Sequence, residues 1–259
     1  KRAVRRFAII AALAVLIGLP TAIAFLPASI TSHALAQLSG VDAIRYDGSI
    51  WNGRTTLIFQ GGPTGRFQWH LSQLRDPASN APLNIQPTLD WSFTNAEIQL
   101  EGAVGLGPTT IALQTEGAID SAAVAALLNQ FDIFLSGEFT LAPSLVRLPY
   151  NARSIAKIDL ARPIELNWSG GQVSYILANQ FNQVTLPSLQ GHLVADPNRG
   201  VTATITRQSS KTELLDLTLR TDGWAHIRLR RRFFDLVQQP WFGDQDADEI
   251  VMEVERQIL

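Results

Sequence analysis

The sequence predicts a mainly β protein, with a single N-terminal transmembrane helix followed by a large curved antiparallel sheet or partial β-barrel with few short helices. Three observations predict this class. Residues 7–26 form an unbroken run of uncharged, mostly apolar positions. After Gly40 the apolar residues recur with a period of two, which is typical of half-buried strands. Clusters of Gly and Pro separate these runs about every ten residues, as turns do in large antiparallel sheets.

The apolar run is the first element, and it follows the basic residues Lys1, Arg2, Arg5 and Arg6. A helix of about twenty residues spans the roughly 30 Å hydrocarbon core of a bilayer, and basic flanks stay in the cytoplasm. We therefore expect residues 1–26 to be a cytoplasmic tail and a retained single-pass anchor. The alternative is a cleaved secretory signal with a site near Ala34-Leu35-Ala36, but such signals have shorter apolar stretches and closer cleavage sites.

Residues 27–40 predict a short membrane-proximal helix. Its apolar positions Ile30, Ala34, Leu35 and Leu38 recur at three- and four-residue spacing, and Gly40 is a natural stop. Such a helix can lie at the membrane interface or pack on the following domain. The sequence leaves both open.

Residues 41–259 are predicted to form one extracytoplasmic β domain, because no long Pro- or Ser-rich linker divides them. One helix is expected at Ala122–Leu128, capped by Asp120 or Ser121, and another at Arg230–Gln239. Ile250–Ile258 fits either a strand or a helix. The predicted strands are Thr55–Phe59, Arg66–Leu71, Leu89–Phe93, Glu97–Glu101, Thr110–Gln114, Phe134–Leu141, Ala156–Leu160, Ile164–Trp168, Gln172–Leu177, Ser188–Ala195, Val201–Thr206, Leu215–Arg220 and Trp224–Leu229.

Two halves of this domain, 41–130 and 131–230, echo one another. Trp51-Asn52-Gly53 and Trp168-Ser169-Gly170-Gly171 each lie between β-rich runs, and 135–141 resembles 189–195. Similar halves or shared turn chemistry would both produce this echo. We expect Trp51 to be buried and Gly53 to permit a bulge or a positive φ.

Composition and motifs argue against several functions. A net charge of −2 provides no basic field for nucleic acid. The absence of cysteine removes disulfides, thiolate nucleophiles and Cys-ligated zinc. The glycine-rich stretches 61–65 and 102–107 lack the remaining residues of a phosphate-binding loop and of a dinucleotide fingerprint.

Candidate catalytic residues are equally sparse. The four histidines, His33, His70, His192 and His226, lack metal-site spacing, and no G-x-S-x-G elbow is present. Carboxylates such as Asp90, Glu97 and Glu101 could pair across strands, although solvated sheet faces explain them better. We therefore predict no enzyme, no cofactor and no catalytic, cofactor-binding or metal-binding residues.

One charge cluster is a candidate contact surface for a partner or a lipid. The arginine cluster is defined as Arg228, Arg230, Arg231 and Arg232, and two phenylalanines follow it. A basic, aromatic cluster can bind anionic headgroups or an acidic surface. The simpler explanation is a solvated strand end, and the acidic segment 244–255 could pair with these arginines.

Five elements of the sequence occur together in a recognisable order: an anchor ending in Leu26-Pro27, Gly48–Gly53 with Trp51, Asn52 and Gly53, Gly65–Trp69, Trp168–Gly171 with Gly170 and Gly171, and Leu189–Leu193. In these elements the chain resembles a known family, type II secretion system protein N (the general secretion pathway N proteins). The resemblance covers nearly the whole chain after the tail, and 240–259, which is acidic and Gly-poor, departs from it.

The resemblance implies an accessory component of the bacterial machine that exports folded proteins from the periplasm. It would be a single-pass inner-membrane protein with a periplasmic domain, and its partners would be the membrane and other secretion components of the inner-membrane platform or outer-membrane channel. The alternative function is an envelope lipid-binding or lipid-transfer protein. The two are distinguished by whether the apolar face of the sheet is filled by its own side chains or left open.

Overall fold

A computed structural model describes residues 26–32, 40–60, 62–75, 85–129, 132–150, 159–177, 179–196, 198 and 200–257. Over these residues the protein is mainly β with few helices, which confirms the predicted class in its coarse form. None of the helices in these ranges has the length and apolarity needed to cross a membrane. The predicted anchor lies outside these ranges, except for Leu26.

The chain divides into two compact units, Lys1–Leu71 and Ser72–Leu259. This boundary differs from 130/131, where the two similar halves were predicted to meet, and the relation between those halves stays a prediction. Unit 1 contains three antiparallel strands in the order β1-β2-β3. Their bounds are β1 Val41–Gly48, β2 Asn52–Phe59 and β3 Thr64–Arg75, and the residues of β3 after Leu71 belong to unit 2.

The start of unit 1 packs on its own strands. Ala28–Thr31 is one 3-10 turn, and residues 33–39 of the predicted helix lie outside the described ranges. Pro27 bridges to Ser49, the Ile50 N–H donates to the Leu26 carbonyl at 3.0 Å, and Ala28 is buried. The described part of this segment therefore takes the second of the two predicted placements, against the β domain.

Unit 2 contains a ten-stranded path of antiparallel neighbours and a second, three-stranded sheet. The strands are β4 Ile85–Thr94, β5 Ile98–Leu106, β6 Thr110–Asp120, β7 Ile133–Leu135, β8 Glu138–Pro149, β9 Asp159–Leu160, β10 Ile164–Trp168, β11 Gly171–Leu177, β12 Gln180–Leu186, β13 Leu189–Asp196, β14 Gly200–Arg207, β15 Glu213–Leu219, β16 Trp224–Arg230 and β17 Ile250–Gln257. The helices are α1 Ser121–Asn129 and α2 Arg231–Leu236.

The large sheet of unit 2 is open. Its order is β4-β5-β6-β8-β10-β13-β14-β15-β16-β17, with β9 beside β8. Over the described residues its first and last strands do not pair with each other, so the sheet is not closed, which agrees with the large antiparallel sheet among the two predicted forms. The second sheet has the order β12-β11-β7.

Local sequence signals predicted several of these elements well. β10 has the predicted bounds, and α1 begins where the Asp120 carboxylate accepts the Ala122 N–H at 2.8 Å. The ambiguous segment after Ile250 is a strand, β17. In contrast, the predicted strand 134–141 is interrupted at Ser136 and Gly137, and the sequence did not predict β12.

Three strands pass from the large sheet into the small one along a single line, here called the hinge line. β7 leads to β8 through Ser136-Gly137, β10 to β11 through Ser169-Gly170, and β12 to β13 through Pro187-Ser188. The order β8-β10-β13 on one side therefore continues as β7-β11-β12 on the other.

A buried cluster of unit 2, here called the core cluster, lies at the hinge line. Trp168, Val184 and Leu186 form its centre. Side chains from both sheets and from the end of α2 pack against them: Leu135, Phe139, Val173, Tyr175, Leu189, Leu236 and Val237. The hinge end of unit 2 is thus closed by its own apolar side chains.

Candidate binding surfaces

The Trp51-Asn52-Gly53 element has a structural role that centres on Trp69. Trp69 is 5% exposed, lies opposite Gly53 in the β2–β3 register, and donates its Nε1–H to the Ile50 carbonyl at 3.0 Å. A Cβ on Gly53 would stand 2.3 Å from Cζ2 of Trp69. Close approach of the indole therefore requires glycine at position 53, whereas a bulge or positive φ there was expected.

Trp51 itself is only half-buried, and Asn52 is exposed. The bulge in this region lies in β1, where the pairing with β2 shifts between Ile44 and Asp47. The sequence predicted the right motif and the wrong anchor side chain, because periodicity does not show which of two nearby tryptophans faces the neighbouring strand.

The Trp168-Ser169-Gly170-Gly171 element forms part of the hinge line. Trp168 is buried, stacks on Phe139 with ring centroids 6.4 Å apart, and donates its Nε1–H to the Ser136 carbonyl at 3.1 Å. Gly170 and Gly171 have φ of 82° and 148°. Side chains at these two positions would be strained, so the glycines let β10 turn into β11.

Serine hydroxyls complete the hinge line. The Ser169 hydroxyl accepts the Glu138 N–H at 2.9 Å, the Ser136 hydroxyl accepts the Gln172 N–H at 2.8 Å, and the Ser188 hydroxyl donates to the Ser169 carbonyl at 2.7 Å. These bonds occupy backbone groups that the change of sheet takes out of the regular ladder.

One face of the large sheet, here called the apolar face, carries aliphatic side chains in register across many strands. Residues opposite one another in an antiparallel ladder point to the same side. The row nearest the core cluster contains Leu141, Leu166, Gly191, Ile205, Leu215, Leu229 and Met252. The next row contains Leu193, Ala203, Leu217, Ile227 and Val254.

Burial on the apolar face is uneven. Phe93, in the row of Leu166, and Ala225, at the far end of β16, are both buried. Trp168 is 7% exposed, whereas Leu166, two residues earlier on the same strand and face, is 38% exposed. Leu166 belongs to an interior strand, between β8 and β13. Ile205 and Leu217, on the same face of β14 and β15, are half-buried. The apolar face beyond the core cluster is therefore incompletely covered by the described residues.

The opposite face, here called the polar face, carries hydroxyl, amide and charged side chains. Part of it forms a groove of about 490 Å³ across β4, β5, β6 and β8. The polar residues of its lining are Ser92, Thr94, Gln99, Glu101, Glu116 and Thr140, and an equal number of apolar residues, among them Ala118, Ala142 and Pro143, complete it. Of the carboxylates named from the sequence, Glu101 lies directly opposite another carboxylate, that of Glu116, whereas Asp90 lies opposite Ala103. Both side chains remain at least partly exposed to solvent.

Metal-binding geometry does not occur among the described residues, since no three His, Asp or Glu side chains converge there. His70 and His192 lie in β3 and β13, and His226 stands 3.6 Å from the Glu253 carboxylate across β16 and β17. His33 lies outside the described ranges.

Each member of the arginine cluster has a carboxylate partner. Arg228 Nε lies 2.7 Å from Oδ1 of Asp216, whose side chain is almost fully buried. The remaining pairs are Arg230 with Glu213, Arg231 with Asp235, and Arg232 with Asp248. The predicted pairing with the acidic segment is thus present at Arg232. A contact of these arginines with a lipid or partner stays a prediction. Such a ligand would have to compete with the existing ion pairs for the guanidinium groups.

The residues of the apolar face that matter most were not singled out from the sequence. Alternation within β10 shows that Leu166 shares a face with Trp168, but it does not show that Leu141 and Gly191 are its neighbours. Gly191 was the available signal, because a glycine inside a strand often marks a close approach. Comparison of this chain with protein-family models, with curated proteins and with solved structures finds no match.

Proposed function

We propose that this chain is an accessory component of a type II secretion apparatus, anchored in the bacterial inner membrane by residues 1–26, with its β domain in the periplasm. In this proposal the protein binds rather than catalyses, and the apolar face is the surface that receives another component. The secretion assignment rests on the family resemblance. The choice of surface rests on the geometry.

The choice of the apolar face rests on the exposure of the Leu166 side chain. An interior strand of a two-layer domain normally buries one face against the second layer. Beyond the core cluster, the described residues leave Leu166 exposed and cover Ile205 and Leu217 only in part. Contiguous apolar surface on a folded domain is typical of protein or membrane interaction sites, and about 25 cal/mol is available for each Å² that a partner removes from water.

The composition of the same face favours a second candidate, an envelope lipid-binding or lipid-transfer protein. The row through Leu141, Leu166 and Leu215 contains no side chain that forms hydrogen bonds. An acyl chain needs no such bonds, whereas protein interfaces of ordinary size contain about ten. Lipid would therefore lie along this row in the second candidate.

Photo-crosslinking in intact cells tests the proposal. A photoreactive residue at Leu217 lies on the apolar face, and one at Thr218 lies on the polar face of the same strand. Adducts of the Leu217 probe with other secretion components support the main proposal. Adducts with phospholipid or lipopolysaccharide support the second candidate. Equal labelling from both positions would rule out the apolar face as the binding surface.

A pair of substitutions separates loss of binding from loss of stability. Leu166 on the apolar face and Val194 on the polar face are 38% and 39% exposed, so Leu166→Gln and Val194→Gln should each change stability by about 1 kcal/mol or less. Only Leu166→Gln should reduce the Leu217 adducts several-fold. The same reduction from both variants would contradict the assignment of the face.

The cellular location has its own test. A reporter enzyme that is active only in the periplasm, fused after residue 259, should be active and should sediment with inner membranes. Removing residues 1–26 should release it from the membrane fraction. Activity only in the cytoplasm would overturn the proposed orientation.

A further inference from the structure

β12 forms a free edge of the three-stranded sheet. It pairs with β11 over seven residues, from Gly171 with Leu186 to Leu177 with Gln180, without a register shift. Its place in the order β12-β11-β7 is terminal. Among the described residues no strand lies beside it on the other side.

The backbone groups that face outward from this edge can be assigned. The Gln172 carbonyl accepts the Ser136 N–H at 2.9 Å, and the Ile176 N–H donates to the Asp132 carbonyl at 3.2 Å, so both residues direct their backbone groups towards β7. Residues opposite each other in an antiparallel pair either both exchange bonds or both point away. Their partners Thr185 and Phe181, and Gln183 between them, therefore point N–H and C=O groups outward.

β12 lacks the protection that the edge strands β1 and β17 have. β1 contains Asp42, Arg45 and Asp47 and a register shift. β17 contains Glu253, Glu255 and Arg256 and a register shift. Charges and bulges of this kind keep edge strands from pairing with other chains. β12 has neither a charge, a proline nor a shift, and residues 166–191 contain no charged side chain at all.

The outer face of the same sheet exposes three large apolar side chains. Phe181 is 65% exposed, and Phe134 and Ile176 are each 46% exposed. Ile176 lies directly opposite Phe181. Depletion of charge together with exposed aromatic side chains is typical of the centre of protein–protein interfaces. The edge and the outer face therefore belong to one surface of uncharged, partly aromatic character.

We infer that β12 pairs antiparallel with β12 of a second copy of this chain, about a two-fold axis at Gln183. In this register Phe181 lies opposite Thr185 of the second copy, which is a favourable aromatic–β-branched pair. The pairs at 181, 183 and 185 each exchange two backbone hydrogen bonds. A two-fold interface requires a surface that is complementary to itself. β12 meets this condition because it has no charged side chain that would repel the same strand of the second copy.

A comparison with β17 explains why we assign the pairing between copies to β12. Self-pairing of β17 about Val254 would bring Glu253 against Glu255 of the other copy, and like charges directly opposite destabilise a strand pair. The inference does not depend on the proposed function, because it concerns another sheet and another surface.

Charge complementation at Gln183 tests the inference. The molar mass of the full-length chain in detergent is measured by light scattering after size exclusion, over a range of protein concentrations. The unmodified chain should dimerise. Gln183→Lys and Gln183→Glu should each weaken the dimer, because two like charges meet on the axis, and an equal mixture of the two variants should restore it. A variant that failed to fold would not be rescued by mixing.

Two further variants distinguish a dimer that pairs through the edge of β12 from one that contacts through the outer face of the sheet. Gln183→Pro removes an outward N–H without breaking the ladder to β11, and it should raise the dissociation constant of the dimer about tenfold or more, since two hydrogen bonds are lost. Gln172→Lys, on the same outer face but in the central strand β11, should leave it unchanged. A dimer that responds equally to both, or to neither, would overturn edge pairing.

A single cysteine supplies an independent readout, since the chain has none of its own. Hydrogen-bonded partners in an antiparallel pair have Cα atoms about 5.5 Å apart, which is within disulfide range. Oxidation of Gln183→Cys should therefore produce a covalent dimer, and oxidation of Gln172→Cys should not. The inference would be overturned if the unmodified chain stayed monomeric at all concentrations. It would also be overturned if the thiol of the Gln183→Cys variant formed a disulfide with a different protein in place of its own copy.

Discussion

Replacing Gly53 with alanine perturbs the closest contact of the Trp-Asn-Gly element. An ideal Cβ at position 53 would lie 2.3 Å from Cζ2 and 2.7 Å from Cε2 of Trp69, and 2.7 Å from the Ser49 carbonyl oxygen. Real Cβ atoms do not approach other atoms so closely. Because Trp69 is almost fully buried, its indole has no free space into which it can move.

The size of the effect follows from what the indole would lose. Overpacking in a core costs about 1–3 kcal/mol, and we expect Gly53→Ala to reach about 3 kcal/mol because the Trp69 hydrogen bond to Ile50 is also disturbed. Trp69→Ala should cost about 3–5 kcal/mol. In the double variant the indole clash is gone and the Ser49 contact remains, so the two costs should overlap by about 1–2 kcal/mol.

Urea unfolding of the full-length chain, followed by far-ultraviolet circular dichroism, measures these free energies without relying on tryptophan fluorescence. Gly105→Ala is the matched control within a strand, since its Cβ would meet Thr88 Oγ1 at an ordinary 3.5 Å. It should be neutral or stabilising by about 0.4–1 kcal/mol. If Gly53→Ala costs the same with and without Trp69, the indole is not what requires glycine there.

Three further substitutions test other parts of the structure by the same unfolding measurement. Trp51→Ala should cost about 1–2 kcal/mol, less than Trp69→Ala, because only part of its side chain leaves water on folding; an equal loss would return Trp51 to the core. Arg228→Ala should cost about 1–3 kcal/mol by leaving the Asp216 carboxylate without its partner, and adding Asp216→Ala should recover part of the loss. Asp120→Ala should cost about 1 kcal/mol through the cap of α1, whereas Asp120→Asn should cost much less.

The polar groove bears on the enzyme question. Glu101 and Glu116 face each other across β5 and β6 in an open groove, and like-charged neighbours at this spacing destabilise a sheet by up to about 1 kcal/mol. Glu116→Gln is therefore expected to be neutral or slightly stabilising. Strong destabilisation would show that the two carboxylates share a ligand, and would reopen a catalytic or cation-binding role.

The sequence by itself determined the elements whose signals are local. Alternation of apolar residues defined β10 from Ile164 to Trp168, because side chains point to opposite faces at every step of a strand. The carboxylate of Asp120 and the following alanines defined α1, because a cap and high helix propensity act within one or two turns. Such signals need no information about distant residues.

The tertiary structure decided everything that depends on which strands are neighbours. It decided that Trp69 and not Trp51 packs on Gly53, that the sheet stays open, and that Leu166 is exposed in an interior strand. It also revealed β12, where alternating amide and apolar residues around Phe181 gave a weak pattern. The physical reason is that periodicity assigns a side chain to a face, while only the order and register of the strands determine what covers that face.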